Sequence, residues 1–280
     1  MAEIGWLVRA LREGDDAAKA AAAQALAINI ARGDAAIRVR VRIAGGFPLL
    51  VELLRDGDAE GKQFAAMALR NLAAYNNAAI EVLIAEAGSI PPLVDLLRNG
   101  HMLAKCHAAA ALCSLARNTA ANRVLIVEAG GIAPLVEVVR NGSPDAKGAA
   151  AGALCNLAYA EANRVLIAEA SGVTPLVQLL RDESVKAKAE AAMALRNLAL
   201  NNDANAVTIA AAVGLEALVQ LARGGRVTVD DRLVVRNAGI AAKRKAALIV
   251  AALLRACVPD ELRSRVDVQD VIRDIIASYL

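Results

Sequence analysis

The chain has 280 residues, of which 57% are hydrophobic and 22% charged, so it is no disordered segment and has ample apolar material for a core. Aromatic residues make up only 2% while alanine abounds, which favours tightly packed helices over strands. The 32 basic and 29 acidic residues are interspersed, and the net charge of +3 demands no nucleic acid. The longest uncharged run, 148–160, falls short of the roughly 18 residues a membrane span needs.

The first predicted element is an amphipathic helix over Ile4 to Arg12, with Trp6 placed where later units carry small or aliphatic residues, as a wedge closing the open end would be. The chain from there is periodic. A Leu-Val step at Leu7, Leu50, Leu93, Leu135, Leu176 and Leu218 has spacings of 43, 43, 42, 41 and 42. A second ladder, Leu26, Leu69, Leu112, Leu154 and Leu195, keeps step at 43, 43, 42 and 41. The nonapeptide AAMALRNLA at Ala65 to Ala73 returns unchanged at Ala191 to Ala199. The unit is therefore about 42 residues.

The unit from Ala78 to Asn118 divides into three predicted helices. The first, Ala79 to Ala87, is expected to bury Ile80, Leu83 and Ile84, with Gly88 in a left-handed cap. The second opens on Pro91 and Pro92, tolerated where first-turn N–H groups lack helical partners, and is expected to bury Ile90, Leu93, Val94 and Leu97 before stopping at Gly100. The third, about His101 to Arg117, is apolar almost all round, as befits a helix packed between neighbours.

On this pattern 1–33 is an N-terminal half repeat, 34–222 complete repeats, 223–257 a divergent repeat with an insertion at Arg223 to Gly239, and 258–280 a C-terminal cap, all within one solenoid. In the divergent repeat Ala241 to Arg255 reads as another third helix, and in the cap Val266, Val268, Val271, Ile272, Ile275 and Ile276 form the expected buried stripe.

The period, the third-helix pattern AL(R/C)(N/S)LA, and the corners Ala44-Gly45-Gly46-Phe47-Pro48, Ala87-Gly88-Ser89-Ile90-Pro91, Ala129-Gly130-Gly131-Ile132-Ala133-Pro134 and Ala170-Ser171-Gly172-Val173-Thr174-Pro175 closely resemble the armadillo repeat. The resemblance is strong over roughly residues 4 to 221 and implies an all-α, right-handed superhelical solenoid. HEAT repeats share the period but usually have two helices and no such glycine corner.

The resemblance also implies a concave groove, lined by third helices, that binds an extended protein segment. In peptide-holding relatives a groove asparagine hydrogen-bonds the peptide main chain through an amide that both donates and accepts. That position holds Asn71, Asn156 and Asn197, with Ser114 in the intervening unit and Ile28 and Ala252 at the ends. The alternative is that these asparagines bond carbonyls or side chains between adjacent units. One turn earlier, import-type relatives carry tryptophan; here stand Gln24, Met67, Ala110, Gly152, Met193 and Leu248, which argues against a receptor for basic import signals. Met67 and Met193 offer adaptable apolar contacts or core filling. Arg70 and Arg196 are candidates to meet acidic groups of a partner, or are solvated, and His107 completes the groove set.

No catalytic constellation stands off the repeat pattern, so no enzyme and no cofactor are expected. Of the group His101, Cys106, His107 and Cys113, the two cysteines lie two helical turns apart, about 10 Å by helix rise, too far for one zinc. Cys113 and Cys155, at equivalent positions of adjacent units, are expected as small packing residues, with a disulfide between them as the alternative, and the four cysteines, Cys106, Cys113, Cys155 and Cys257, form no CxxC pair or dense framework. A reducing compartment is expected, the cytoplasm by default with the nucleus as alternative, and a monomer in isolation. The reading is thus a noncatalytic protein-interaction module, with a protein or peptide partner, no nucleic acid and no membrane insertion. The alternative is a structural scaffold or assembly subunit that uses convex or end surfaces.

Overall fold

The computed structural model describes residues 2–212 apart from positions 34, 76, 183 and 210, and of residues 2 and 3 only the backbone. The insertion, the divergent repeat's third helix and the cap expected at 223–280 lie outside the described residues. The chain forms two compact units, Met1–Leu157 and Ala158–Leu280.

The first unit opens with two helices, α1 (Ala2–Glu13) and α2 (Asp16–Ala31). Three complete triplets follow within it. They are α3 (Ala35–Ile43), α4 (Gly46–Asp56) and α5 (Ala59–Ala73); α6 (Ala78–Glu86), α7 (Ile90–Asn99) and α8 (Met102–Arg117); and α9 (Ala120–Glu128), α10 (Ile132–Asn141) and α11 (Pro144–Leu157). The second unit contributes α12 (Glu161–Glu169), α13 (Val173–Leu179) and α14 (Val185–Ala199), after which 203–209 is helical. No strand occurs among the described residues.

Each boundary has a local cause. Four of the five described third helices start on side-chain caps: Asp15 accepts from the Ala18 N–H at 2.8 Å, Asp58 from Gly61 at 2.7 Å, Ser143 from Ala146 at 3.4 Å and Ser184 from Ala187 at 3.2 Å, while His101 at the start of α8 makes no such bond. The proline pair does occupy the first turn of α7, and Gly100 ends it with its N–H bonded to Leu96 O. At the corner between first and second helices the chain turns left-handed, at Gly45 (φ 75°), Gly88 (φ 84°), Gly130 (φ 71°) and, in the second unit, Ser171 (φ 59°).

In the first unit the third helices form a continuous layer, α2 against α5, α5 against α8 and α8 against α11. Leu26, Leu69, Leu112 and Leu154 are completely buried in it, flanked by buried alanines such as Ala65, Ala68, Ala108 and Ala111. Small side chains let helix backbones approach closely, while each leucine contributes about 1.5–3 kcal/mol by leaving water. The second helices cover this layer, with Leu50, Leu93 and Leu135 fully buried.

The first helix is turned differently from expectation. In α6, Leu83 is 37% exposed and Ile80 half-buried, while Glu81, Ile84 and Ala85 are buried. The face is set by Asn118, which caps α8 of the same repeat, and by Asn122 of the next repeat, both of which reach Glu81. Trp6 does not act as a closing wedge: it is 65% exposed, and Ile4, Leu7, Val8 and Leu11 are the buried residues of α1.

Candidate functional site

The outward surface of the third-helix layer carries the candidate residues. Within the first unit, α5 presents Met67, Arg70 and Asn71, α8 presents His107, and α11 presents Asn156, all half-buried. Ser114, the counterpart of the asparagines in α8, is buried at 5% exposure. In the second unit α14 exposes Met193 and Arg196 but buries Asn197, at 3%.

Two asparagines bridge repeats in the same way. The Asn71 amide donates to Ala27 O at 2.9 Å, and the Asn156 amide donates to Cys113 O at 2.8 Å, in each case reaching the third helix of the preceding repeat. The Asn156 amide nitrogen also lies 3.7 Å from Cys113 Sγ, and in both residues the bonds to the preceding repeat fix the plane of the amide. Neither Oδ1 is among the buried unsatisfied atoms, and each retains capacity to accept. Asn197 differs, since its Oδ1 accepts from Arg196 at 3.2 and 3.4 Å.

Arg70 and His107 join α5 to α8. Arg70 Nη1 donates to His107 Nδ1 at 3.3 Å, and because arginine only donates, the histidine proton sits on Nε2. His107 is pushed down to about 4, first by burial and then by the charges of Arg70 and His101, so the ring is neutral near pH 7.

A second polar row, along the first helices, is invisible to a search for groove residues. Asn122 is buried at 2% and donates to Glu81 O at 3.3 Å and Leu115 O at 3.0 Å. In the second unit Asn205 repeats the pattern, donating to Arg164 O at 3.0 Å and Leu198 O at 3.1 Å. The residue after this asparagine position is also structural. Arg123 reaches Ala116 O at 2.9 Å, while Arg164, only 7% exposed, bonds Ala158 O at 2.9 Å and Leu200 O at 2.6 Å. Glu81 holds the corresponding place in α6, fully buried, accepting from the Asn118 amide at 2.9 Å. Burial raises its pKa, against the opposing hydrogen bond from Asn118. The signal was in the sequence: ANRVLI occurs at 121–126 and again at 162–167.

Among the described residues no three His, Cys, Asp or Glu side chains gather as a metal site, and no helix is long and apolar enough to cross a membrane. A cavity of about 220 Å³ lies where α1, α2 and α4 meet, lined in part by Asp16, Lys19, Glu52 and Asp56. Its charges are mixed, and no nucleophile and base are paired there.

The model of the armadillo/beta-catenin-like repeat matches residues 76–117, 119–159 and 161–200. These segments coincide with the triplets α6–α8, α9–α11 and α12–α14. The crystal structure of an engineered protein from the Northeast Structural Genomics Consortium is similar, with 31% identity, a TM-score of 0.71, and 89% of this chain and 97% of that one covered. A computationally designed armadillo repeat protein, made for modular peptide recognition, is 27% identical with a TM-score of 0.73, covering 84% of this chain and 100% of its own. A designed armadillo repeat protein in complex with the peptide (KR)4 shares the fold at 23% identity, with a TM-score of 0.64 and 99% of both chains covered. No curated protein matches at a significant level. Three-helix units of about 42 residues, left-handed corners at equivalent positions and these likenesses agree, and the chain belongs to the armadillo repeat family.

Proposed function

We propose that the chain is a noncatalytic interaction module that seats an extended protein segment along its third-helix groove. The observation that carries this reading is the pair Asn71 and Asn156. Each amide is held by the preceding repeat and keeps an oxygen with accepting capacity, and Asn71 stands beside the half-buried Met67 and Arg70 of α5. An amide fixed in this way meets a peptide N–H without first losing rotamer freedom, which lowers the cost of binding. The 27%-identical design for modular peptide recognition supports the same use of the fold.

The experiment is crosslinking mass spectrometry from native extract, combined with the double variant Asn71→Ala, Asn156→Ala. Partner crosslinks should fall on lysines that open third helices, such as Lys62, Lys105 and Lys147, and the variant should lose the partner while its circular dichroism is unchanged. Crosslinks that avoid every third helix would sink the groove reading. That outcome would favour a scaffold role through the outer surface, where Leu83, Val124 and Leu125 of the first helices are 37%, 54% and 42% exposed.

A further inference from the structure

We propose that the segment taken up by this groove is acidic, with a carboxylate of the partner seated on Arg70. The inference rests on the groove reading and adds to it the chemical class of the occupant.

The first argument is the distribution of charge. Beyond their opening turns, the third helices of the first unit read 20–31, 63–73, 106–117 and 148–157, and these stretches contain no aspartate or glutamate. The formal cations among them are Arg70 and Arg117, of which Arg117 is the exposed last residue of α8, where it complements the helix dipole, and Arg70 is half-buried within the layer. The acidic residues of these helices, such as Asp16, Glu60 and Asp145, are confined to first turns, where they complement the helix dipole. A basic segment lying along the middle of the layer meets no carboxylate there.

The second argument is the state of Arg70 itself. The guanidinium is half-buried and is in no ion pair among the described residues; its partner across the repeat boundary is His107 Nδ1, an uncharged acceptor. That contact orients the side chain without neutralising it and occupies one of five N–H groups. The remaining donors form the planar fork that fits a carboxylate. Met67, Ala110 and Cys113 nearby in the layer are uncharged and half-buried, so an ion pair formed beside them is screened less than one in open water. Asn71, the next residue, supplies the hydrogen-bonding amide described above. Acidity at one point of the partner and main-chain bonding at the next would thus be read from adjacent residues of α5.

The test measures binding of dye-labelled (Asp-Glu)4, (Lys-Arg)4 and (Ser-Ala)4 to the full chain by fluorescence anisotropy. (Asp-Glu)4 should bind at least about tenfold more tightly than the other two. Arg70→Glu should weaken that binding by about tenfold or more, and Arg70→Gln by less, each with an unchanged circular dichroism spectrum. Arg9→Glu, on the exposed side of α1, should leave it within about twofold, because only long-range charge is altered. A preference for (Lys-Arg)4, an intact Arg70→Glu protein that binds (Asp-Glu)4 as before, or an equal loss from Arg9→Glu would each overturn the proposal while leaving the groove reading in place. Failure of all three peptides to bind would count against the groove reading itself.

Discussion

At the scale of single residues, the side chains that cost most to remove are the buried polar ones at repeat joints. Asn122 serves two carbonyls from two different helices, Glu81 O in α6 and Leu115 O in α8, so truncation removes a buried donor from both. Asn122→Ala should destabilise the chain by about 2–3 kcal/mol, read as a lower urea midpoint at unchanged slope. Two titrating groups give opposite pH signatures. Glu81 has its folded pKa raised by burial, so the stability it contributes is complete below its unfolded pKa and is lost as pH rises through the folded value. Glu81→Gln, which retains an oxygen for Asn118, should therefore be more stable than the parent at pH 7 and approach it in acid. His107 is depressed to about 4, chiefly by burial, so its contribution is complete above its unfolded value of 6.5 and is lost as pH falls towards 4. The stability difference between parent and His107→Gln should shrink across that window; a difference independent of pH would refute the buried, neutral assignment.

At the scale of elements, the corner between first and second helices couples successive repeats. Arg98 of α7 donates Nη2 to Ala129 O and Gly130 O, both at 3.2 Å, and so caps the first helix of the following repeat. Gly130 stands at φ 71°, and an added Cβ would come within 2.9 Å of Arg98 Nη2. Gly130→Ala should cost about 1–2 kcal/mol in thermal unfolding, from left-handed strain together with disturbance of that cap. The corners, the proline entry to α7 and the leucine ladders were legible because each depends on a local rule repeated every 42 residues or so. The face of α6 was not. A nine-residue helix offers too few apolar positions to fix its rotation, and the residue that decides it, Glu81, is buried by Asn118, 37 positions away. The groove asparagines fell between these cases. Spacing located them, while their bonds to Ala27 O and Cys113 O depend on which atoms of the preceding helix lie opposite.

For the molecule as a whole, a repeated groove implies that affinity is spread over several modest contacts, each within its own repeat. Asn71 and Asn156 lie two repeats apart and share no hydrogen-bond partner, so their contributions to a bound segment should be independent. Each alanine variant removes one peptide hydrogen bond worth about 0.5–1.5 kcal/mol, roughly a two- to tenfold rise in Kd for a segment long enough to span both. The double variant should show the product of the two factors, and a segment shortened to reach only α5 should respond to Asn71→Ala alone. Structural loss gives a different result. If the asparagines mattered only for joining repeats, both variants would lower the urea midpoint, and the Kd for long and short segments would rise by the same factor. The comparison of the two segment lengths, made on each single variant, thus separates an amide that holds a partner from one that holds only its neighbour.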